Sequence, residues 1–452
     1  MSIQIRAVGG FGEVGKNMAA INIDGEVIIL DMGLHLPNYI KYTEEALGEI
    51  VKLKTEDLIK VGAIPDDRIL KDWKNKVKAI IISHGHLDHV GATPYLAMHY
   101  PEAPVISTEY TIEFLKTTIQ NEKISLPNKI IGVLPNARIR IGKNEIEFIN
   151  ITHSIPQTAI IAIHTKKGII IYGPDYKLDN EPTLGKKPNY PALENLGEKG
   201  VLAIITDSLN ADHEGSTPSE SRAKELLENV LLGTPNKDKA IIVTTFSSHI
   251  ARLKTITEIG KKMNRKVVFL GRSLAKYVIA AKNTSITKID AEIIQYSQKI
   301  RKKLKEIEKK GMHKFLIVCT GHQGEPKSVL SKIANNFYGV TLKPDDHVIF
   351  SSNVIPTKIN QEQRRTLEEK LAKQGAHIFT GVHVSGHCSK EDMKAFIKMT
   401  KPENIIPIHS EPQITEKFIQ LCEDLGYKKG KNAIIMKNSQ TIDIPQIANE
   451  PK

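Results

Sequence analysis

Cysteine is scarce in this chain: three residues in 452, Cys319, Cys388 and Cys422, widely spaced and odd in number. That excludes a disulfide framework and points to a reducing compartment. Long apolar runs are lacking too. None approaches the ~18–20 residues that a membrane-spanning helix needs, so no membrane association is expected. The opening Met1-Ser2-Ile3-Gln4-Ile5-Arg6 has no basic segment followed by an apolar one and reads as a strand, not a secretory signal. The expected location is the cytoplasm. Glycine (30) and proline (22) are too few for a low-complexity chain, and no internal repeat is visible.

What the chain does have is positive charge, a formal net +12. An excess of this size fits a polyanionic partner, most simply nucleic acid, although a lysine-rich compositional bias would give the same number. With 40% hydrophobic and 25% charged residues the composition is globular, and the length suggests about two or three domains.

Gly10-Phe11-Gly12-Glu13-Val14-Gly15 matches the G-x-G-x-x-G dinucleotide pattern, and Asp31 stands where a ribose-binding acid would be sought. That pattern requires a helix directly after the glycines. Here Met18–Ile23, the pair Asp24-Gly25 and Glu26–Leu30 predict a hairpin instead, which argues against a dinucleotide site. Residues 41–75 read as mainly helical and polar. Val77–Ser83 reads as a buried strand, followed by a helix near 91–99, a strand near 104–107 and a helix near 109–120. Further strands are predicted within 138–153, at 168–172 and at 201–206. A β-rich region with helices outside suits a helix-covered β-sandwich. From about 209 to 375, short apolar runs at 240–245, 266–270, 315–319 and 347–350 alternate with helical stretches, which predicts a parallel sheet. Small polar loops follow these runs, where parallel sheets bind ligands. The basic stretch 301–310 is expected to be a solvated helix face. After 376 come a strand, a His-rich loop, a helix and another strand; 449–452 look frayed.

Chemistry is concentrated in His84-Gly85-His86-Leu87-Asp88-His89. Four ligand-type side chains in six residues after a strand suit metal binding, His84 and His86 towards one ion and Asp88 and His89 towards a second. Gly85 would let the backbone turn tightly. Two ions need more ligands. His153, Asp175 and His409 each follow an apolar run directly, so each is expected at a sheet edge, with Asp175 suited to bridge two cations. Asp31 also ends a strand and is expected to orient a ligand histidine by hydrogen bonding.

Asp31, the His84–His89 run, His153, Asp175 and His409 together resemble the ordered motifs of the metallo-β-lactamase superfamily. The long gap from Asp175 to His409 holds the α/β stretch, an arrangement similar to the β-CASP nucleases. Their added motifs are matched by Asp207, His387 and His409, and a histidine at the last of these goes with RNA substrates. Gly9–Asn17, Gly321–Pro326, His383–His387 and Pro407–His409 resemble signatures of the ribonuclease J family, in its archaeal form. Bacterial members typically have Ser where His322 stands.

The resemblance implies an α/β fold: a metallo-β-lactamase αββα sandwich (1–208 and 376–452) with an inserted β-CASP domain (209–375). It implies two zinc ions, with manganese an alternative, a homodimer, and hydrolysis of RNA phosphodiester bonds. His387 is the candidate proton donor to the leaving oxygen, held by Asp207. His383-Val384-Ser385-Gly386-His387 reads as a phosphate cradle, with Gly321, His322 and Ser352 contributing. The resemblance makes this a pocket for an RNA 5′ monophosphate and the enzyme a 5′→3′ exonuclease. An endonuclease of the cleavage-and-polyadenylation-factor type is the alternative. A small-molecule hydrolase or an inactive RNA-binding scaffold fits the insertion, charge and full ligand set less well.

Overall fold

The computed structural model describes residues 2–45, 54–355 and 357–444. The chain divides into two units. One comprises Met1–Asn180, Lys186–Thr217 and Gly386–Lys452; the other comprises Glu181–Gly185 and Pro218–Ser385.

In the first unit, isoleucine- and valine-rich runs form two sheets. The seven-stranded sheet runs Thr441–Asp443, Ile3–Gly9, Met18–Ile23, Glu26–Leu30, Val77–Ile81, Val105–Thr108, Ile130–Val133. The six-stranded sheet runs Pro402–Ile408, Val201–Asp207, Gly168–Gly173, Ala159–Thr165, Asn144–Asn150, Arg138–Ile141. Both are mixed. The strands Glu26–Leu30 through Ile130–Val133 pair in parallel, as do Pro402–Ile408, Val201–Asp207 and Gly168–Gly173.

Strand alternation decides which residues meet. Ile21, Ile28 and Ile81 from one sheet and Phe148, Ile161, Ile170, Ile205 and Ile406 from the other share one apolar core. Their neighbours Ile160, Ile171, Ile204 and Ile405 point the other way. They pack on Leu193, Phe396 and Phe418 from the helices Tyr190–Lys199, Lys390–Thr400 and Pro412–Asp424. Helix Glu109–Glu122 packs on the first sheet. The result is the αββα sandwich expected from the sequence. Each buried isoleucine or phenylalanine stabilises it by roughly 1.5–3 kcal/mol, and truncating the fully buried Phe148 to Ala would cost about 3–5 kcal/mol.

The glycine motif at 10–15 leads into a strand, not a helix. Met18–Ile23 and Glu26–Leu30 pair antiparallel, with Ile23 opposite Glu26. Asp24 and Gly25 make the turn with φ of 49° and 85°, the conformation that matches strand twist in a two-residue hairpin.

The second unit is a parallel sheet in the order Glu292–Ile294, Lys266–Leu270, Phe315–Cys319, Ile241–Thr244, His347–Phe350, His377–Phe379. Helices Ser297–Lys310, Val329–Ala334 and Lys358–Lys373 cover one face through Leu304, Leu330 and Leu367. The sequence reading ended this region at 375. The short strand His377–Phe379 instead pairs with His347–Phe350, so the unit runs to 385. A three-residue extended run looks the same in sequence whichever sheet it joins.

The helical reading of 41–75 resolves into Leu36–Glu45, Thr55–Lys60 and two 3-10 turns, with 46–53 outside the described residues. The stretch near 91–99 is shorter helices, Leu87–Val90 and Thr93–Leu96, and a 3-10 turn. Residues 449–452 lie outside the described residues. Among those described, no helix is long and apolar enough to cross a membrane.

Candidate metal centre

The first unit gathers its polar residues where strands stop. Val77–Ile81 leads into the histidine run, Asn144–Asn150 into His153, Gly168–Gly173 into Asp175, Val201–Asp207 ends on Asp207, and Pro402–Ile408 leads into His409. Asp31 and His409 follow their strands with φ of 60° and 66°. This left-handed turn is costly for a residue with a Cβ and is held only where the surroundings demand it. Gly85 does not adopt a positive φ. A Cβ there would stand 3.2 Å from Ile155 Cδ1, so its role is close approach, not the tight turn expected.

Among the described residues three groups with ligand geometry share Asp175: His84, His86, His153 and Asp175; Asp88, His89, Asp175 and His409; and the smaller set Asp175, Asp207 and His387. Asp175 Oδ2 stands 3.5 Å from His84 Nε2 and 3.4 Å from His153 Nε2, while Oδ1 stands 3.3 Å from His89 Nε2. Its two oxygens therefore face the first two of these groups separately. Asp88 Oδ2 lies 3.7 Å from both His89 Nε2 and His409 Nε2.

Hydrogen bonds fix which ring nitrogens are bare. Ser83 Oγ donates to Asp31 Oδ2 (2.8 Å), so His84 Nδ1 must donate to Ser83 Oγ (3.0 Å), leaving Nε2 free of hydrogen in the neutral ring. His153 Nδ1 donates to the Gly386 carbonyl (2.7 Å) and His89 Nδ1 to Asp31 Oδ2 (2.7 Å), with the same consequence. His86 Nδ1 then faces His84 Nε2 at 3.2 Å and His153 Nε2 at 3.0 Å. With the His86 proton on Nε2, three lone pairs would converge there and a cation among them would relieve the repulsion; with the proton on Nδ1, the ring donates to one of these neighbours. The Oδ1 atom of Asp175 is buried without a hydrogen-bond donor among the described residues, 3.3 Å from His89 Nε2, and a cation there would satisfy it. The donor set, imidazole and carboxylate, is the one zinc accepts.

Electrostatics divide the ligands: burial opposes charge on His89, but Asp175, Asp88 and Asp31 prevail and raise it well above the usual imidazole range, so a cation at its Nε2 would have to displace a proton. Burial pushes His84, His86 and His153 below the usual imidazole range, with neighbouring histidines adding to the effect at His84 and His86. Neutral rings are the ligand form. Asp175 is held well below the usual carboxylate range: burial opposes this, and His89, His409 and His387 outweigh it.

Asp31 takes four hydrogen bonds, from Ser83 N and Oγ, His89 Nδ1 and Tyr172 Oη. It thus fixes the His89 ring and, through Ser83, reaches His84. Sequence reasoning missed Tyr172 and Asn17. Asn17 is fully buried, its amide nitrogen 3.0 Å from His89 Nε2 and 2.8 Å from His409 Nδ1. His409 Nδ1 also lies 3.2 Å from Asn17 Oδ1 and accepts from the Gly15 backbone N–H at 3.4 Å. The only sequence signal for Asn17 was its place at the end of the glycine motif.

His387 stands beside the ligands. Its Nδ1 donates to Asp207 Oδ2 at 2.8 Å and its Nε2 lies 3.9 Å from Asp175 Oδ2. Asp207 is fully buried, and its Oδ1 accepts from Leu209 N. Burial acts against charge on His387, but Asp175 and Asp207 prevail and push its pKa up to about 9. Gly386 is required by contact: a Cβ would stand 2.8 Å from Ser154 and 3.2 Å from the His153 ring.

The proposed cradle divides after Ser385, between the two units. In the second unit, His322 and His383 both lie near Phe246, ring centres 4.3 and 5.9 Å away. Val384 is buried and Gly321 has a φ of 126°. Ser352 Oγ is buried without a hydrogen-bond partner among the described residues. Arg252, fully buried, ties these loops together. It binds Glu220 through two nitrogens (2.6 and 2.8 Å), donates to Ser351 Oγ (2.7 Å) and lies 3.5 Å from His383 Nδ1.

Three family models match the chain: the metallo-β-lactamase superfamily over residues 12–148, the ribonuclease J β-CASP domain over 238–368, and the zinc-dependent metallo-hydrolase RNA specificity domain over 374–436. The chain is 43% identical to a ribonuclease J of Methanocaldococcus jannaschii, over 99% of this chain and all of that one. It is 42% identical to one of Pyrococcus abyssi, over 98% and 97%. A crystal structure of a protein of unknown function from Enterococcus faecalis V583 shares the fold, with a TM-score of 0.66 at 18% identity, covering 98% of this chain and 100% of that one. With its ligand groups in place and its whole length matched, this chain belongs to the ribonuclease J family, metal-dependent ribonucleases that combine a metallo-β-lactamase sandwich with an inserted β-CASP domain.

Proposed function

We propose that this chain degrades RNA from the 5′ end, prefers a 5′ monophosphate, and uses two zinc ions, which His84, His86 and His153, and Asp88, His89 and His409, would hold together with Asp175. His/Asp sites also accept manganese. When bound, two such ions would lower the pKa of a shared water towards ~7 and offset the charge developing on the phosphate.

The observation that carries the reading is His387. Asp207 sets its Nδ1 as a donor, which leaves Nε2 facing the carboxylate common to both four-residue ligand groups. A cation at Asp175 cancels that carboxylate's pull on His387, so Asp207 is what keeps the ring protonated when the site is loaded. His387 Nε2 is then placed to give its proton to the leaving 3′ oxygen, and Asp207 stabilises the ring as the acid.

In the second unit, the His322 and His383 rings lie near Phe246, the Arg252 guanidinium stands beside His383 and Ser351, and the Oγ of the next residue, Ser352, is buried without a partner among the described residues. This supports recognition of a terminal phosphate there. RNA labelled at its 3′ end, carrying a 5′ monophosphate, triphosphate or hydroxyl, tests the reading. Progressive shortening from the 5′ end, fastest for the monophosphate, is expected. Discrete internal cuts at rates indifferent to the 5′ group would replace it with an endonuclease. A homodimer is expected as well, and sedimentation as a monomer at micromolar concentration would contradict it.

A further inference from the structure

The basic helix Ser297–Lys310 was expected to be merely solvated, but part of its charge is paired within the fold. Lys303 is buried against Glu292 (2.8 Å) and Glu306 (3.1 Å), and Lys310 is paired with Glu306 (2.7 Å). One side differs. Phe337, 51% exposed, lies in the turn after helix Val329–Ala334, and the Arg301 guanidinium stands 5.0 Å from its ring centre while donating to the Phe337 carbonyl (2.8 Å). Lys332 Nζ stands 5.4 Å from the same ring. The Lys305 side chain, one turn along from Arg301, comes within 3.8 Å of where Gly339 would carry a Cβ. Lys370 reaches in to Asn335 Oδ1 (2.8 Å). Among the described residues no carboxylate pairs with Arg301, Lys305, Lys332 or Lys370. Tyr296, 57% exposed, begins the same helix, and the next residue, Ser297, touches Tyr338.

An exposed phenylalanine with two cations near its ring and two more, free of carboxylates, on adjoining residues is poorly suited to an apolar protein partner. It is equally unsuited to a second copy of the chain, because a two-fold contact would bring like charges together. A flexible polyanion that carries flat apolar faces satisfies both features. We propose that this surface is a stacking platform for single-stranded RNA, separate from the phosphate-recognising loops, with a base on Phe337 and phosphates at Arg301, Lys305, Lys332 and Lys370. The proposal rests on RNA being the substrate.

The test uses the metal-loaded protein and a 20-nucleotide phosphorothioate oligouridylate, which resists cleavage. Phe337→Ala should weaken binding about tenfold, and Phe337→Trp should retain it. Arg301→Glu with Lys305→Glu should weaken binding further and lower the slope of log affinity against log salt by about 1.4. Hydrolysis of methyl p-nitrophenyl phosphate, which has no bases or neighbouring phosphates, should be unchanged in all three. Wild-type affinity in Phe337→Ala would overturn the platform. So would a change of oligomeric state in that variant, which would make the surface a contact between copies. If the wild type failed to cleave RNA yet Phe337→Ala lost binding, the platform would stand and the ribonuclease reading would fall.

Discussion

Histidines end strands in both units, but in opposite company. In the first unit His84, His86, His89, His153 and His409 surround Asp88 and Asp175, and Asp175 Oδ1 is buried without a donor among the described residues. In the second, His322 and His383 lie near Phe246, with Arg252 beside His383 and a buried Ser352 hydroxyl nearby. The same residue type at the same kind of position serves opposite charges. Carboxylates with bare ring nitrogens make a place for cations; a guanidinium with hydroxyl and ring donors makes a place for an anion. The neighbours decide the chemistry, not the histidine.

The sharpest way to break that contrast is to remove the histidine that belongs to neither pattern. His387→Ala should lower the turnover rate on RNA about 10²–10⁴-fold while metal content, measured by elemental analysis, stays at the wild-type level. Loss of metal would make His387 a ligand rather than an acid. Next in size is the support under the anion side. Arg252→Met leaves buried Glu220 with His249, 3.3 Å away, as its cationic partner, and should cost about 3 kcal/mol of stability in a denaturant titration that follows the second unit's unfolding. Burial opposes ionisation of Glu220, but His249 and Arg252 prevail and hold its carboxyl well below the usual range. Its folded pKa is thus depressed. The stability it contributes is present above its unfolded pKa, about 4.3, and is lost as pH falls through the folded value.

Smaller effects sharpen the comparison. Ser352→Ala or His383→Ala should each reduce the preference for 5′-monophosphate over 5′-hydroxyl RNA about tenfold, the size of one hydrogen bond to a charged group, with cleavage of the hydroxyl form unaffected. Asp207→Asn should move the alkaline limb of the rate profile. The Asp207 carboxylate raises the pKa of His387; without it the ring loses its proton at lower pH. Activity near pH 8 should fall more than activity near pH 6, and an unmoved limb would remove Asp207 from the acid pair.

The fold was legible because its strands are apolar runs of clear length and its hairpin carries an Asp-Gly turn. The ligand residues were legible for a related reason: a polar side chain directly after such a run must sit at a sheet edge. Asn17 was not, since a short amide in a glycine-rich loop carries no periodic signal, and its partners His89 and His409 lie 72 and 392 residues away. Arg252 and Glu220 occupy helix positions that read as solvated charge, and only the tertiary fold buries them together. The boundary at 385 was hidden because pairing decides where His377–Phe379 belongs, and pairing partners are not visible in a three-residue run.

If Asp175 serves two cations that cleavage of RNA requires, zinc returned in measured amounts to metal-free protein should restore RNA cleavage in step with its binding. Full activity is expected at two equivalents per chain, with neither tight binding nor cleavage in Asp175→Ala. Full activity at one equivalent, or a variant that still binds two and cleaves, would contradict this role for Asp175.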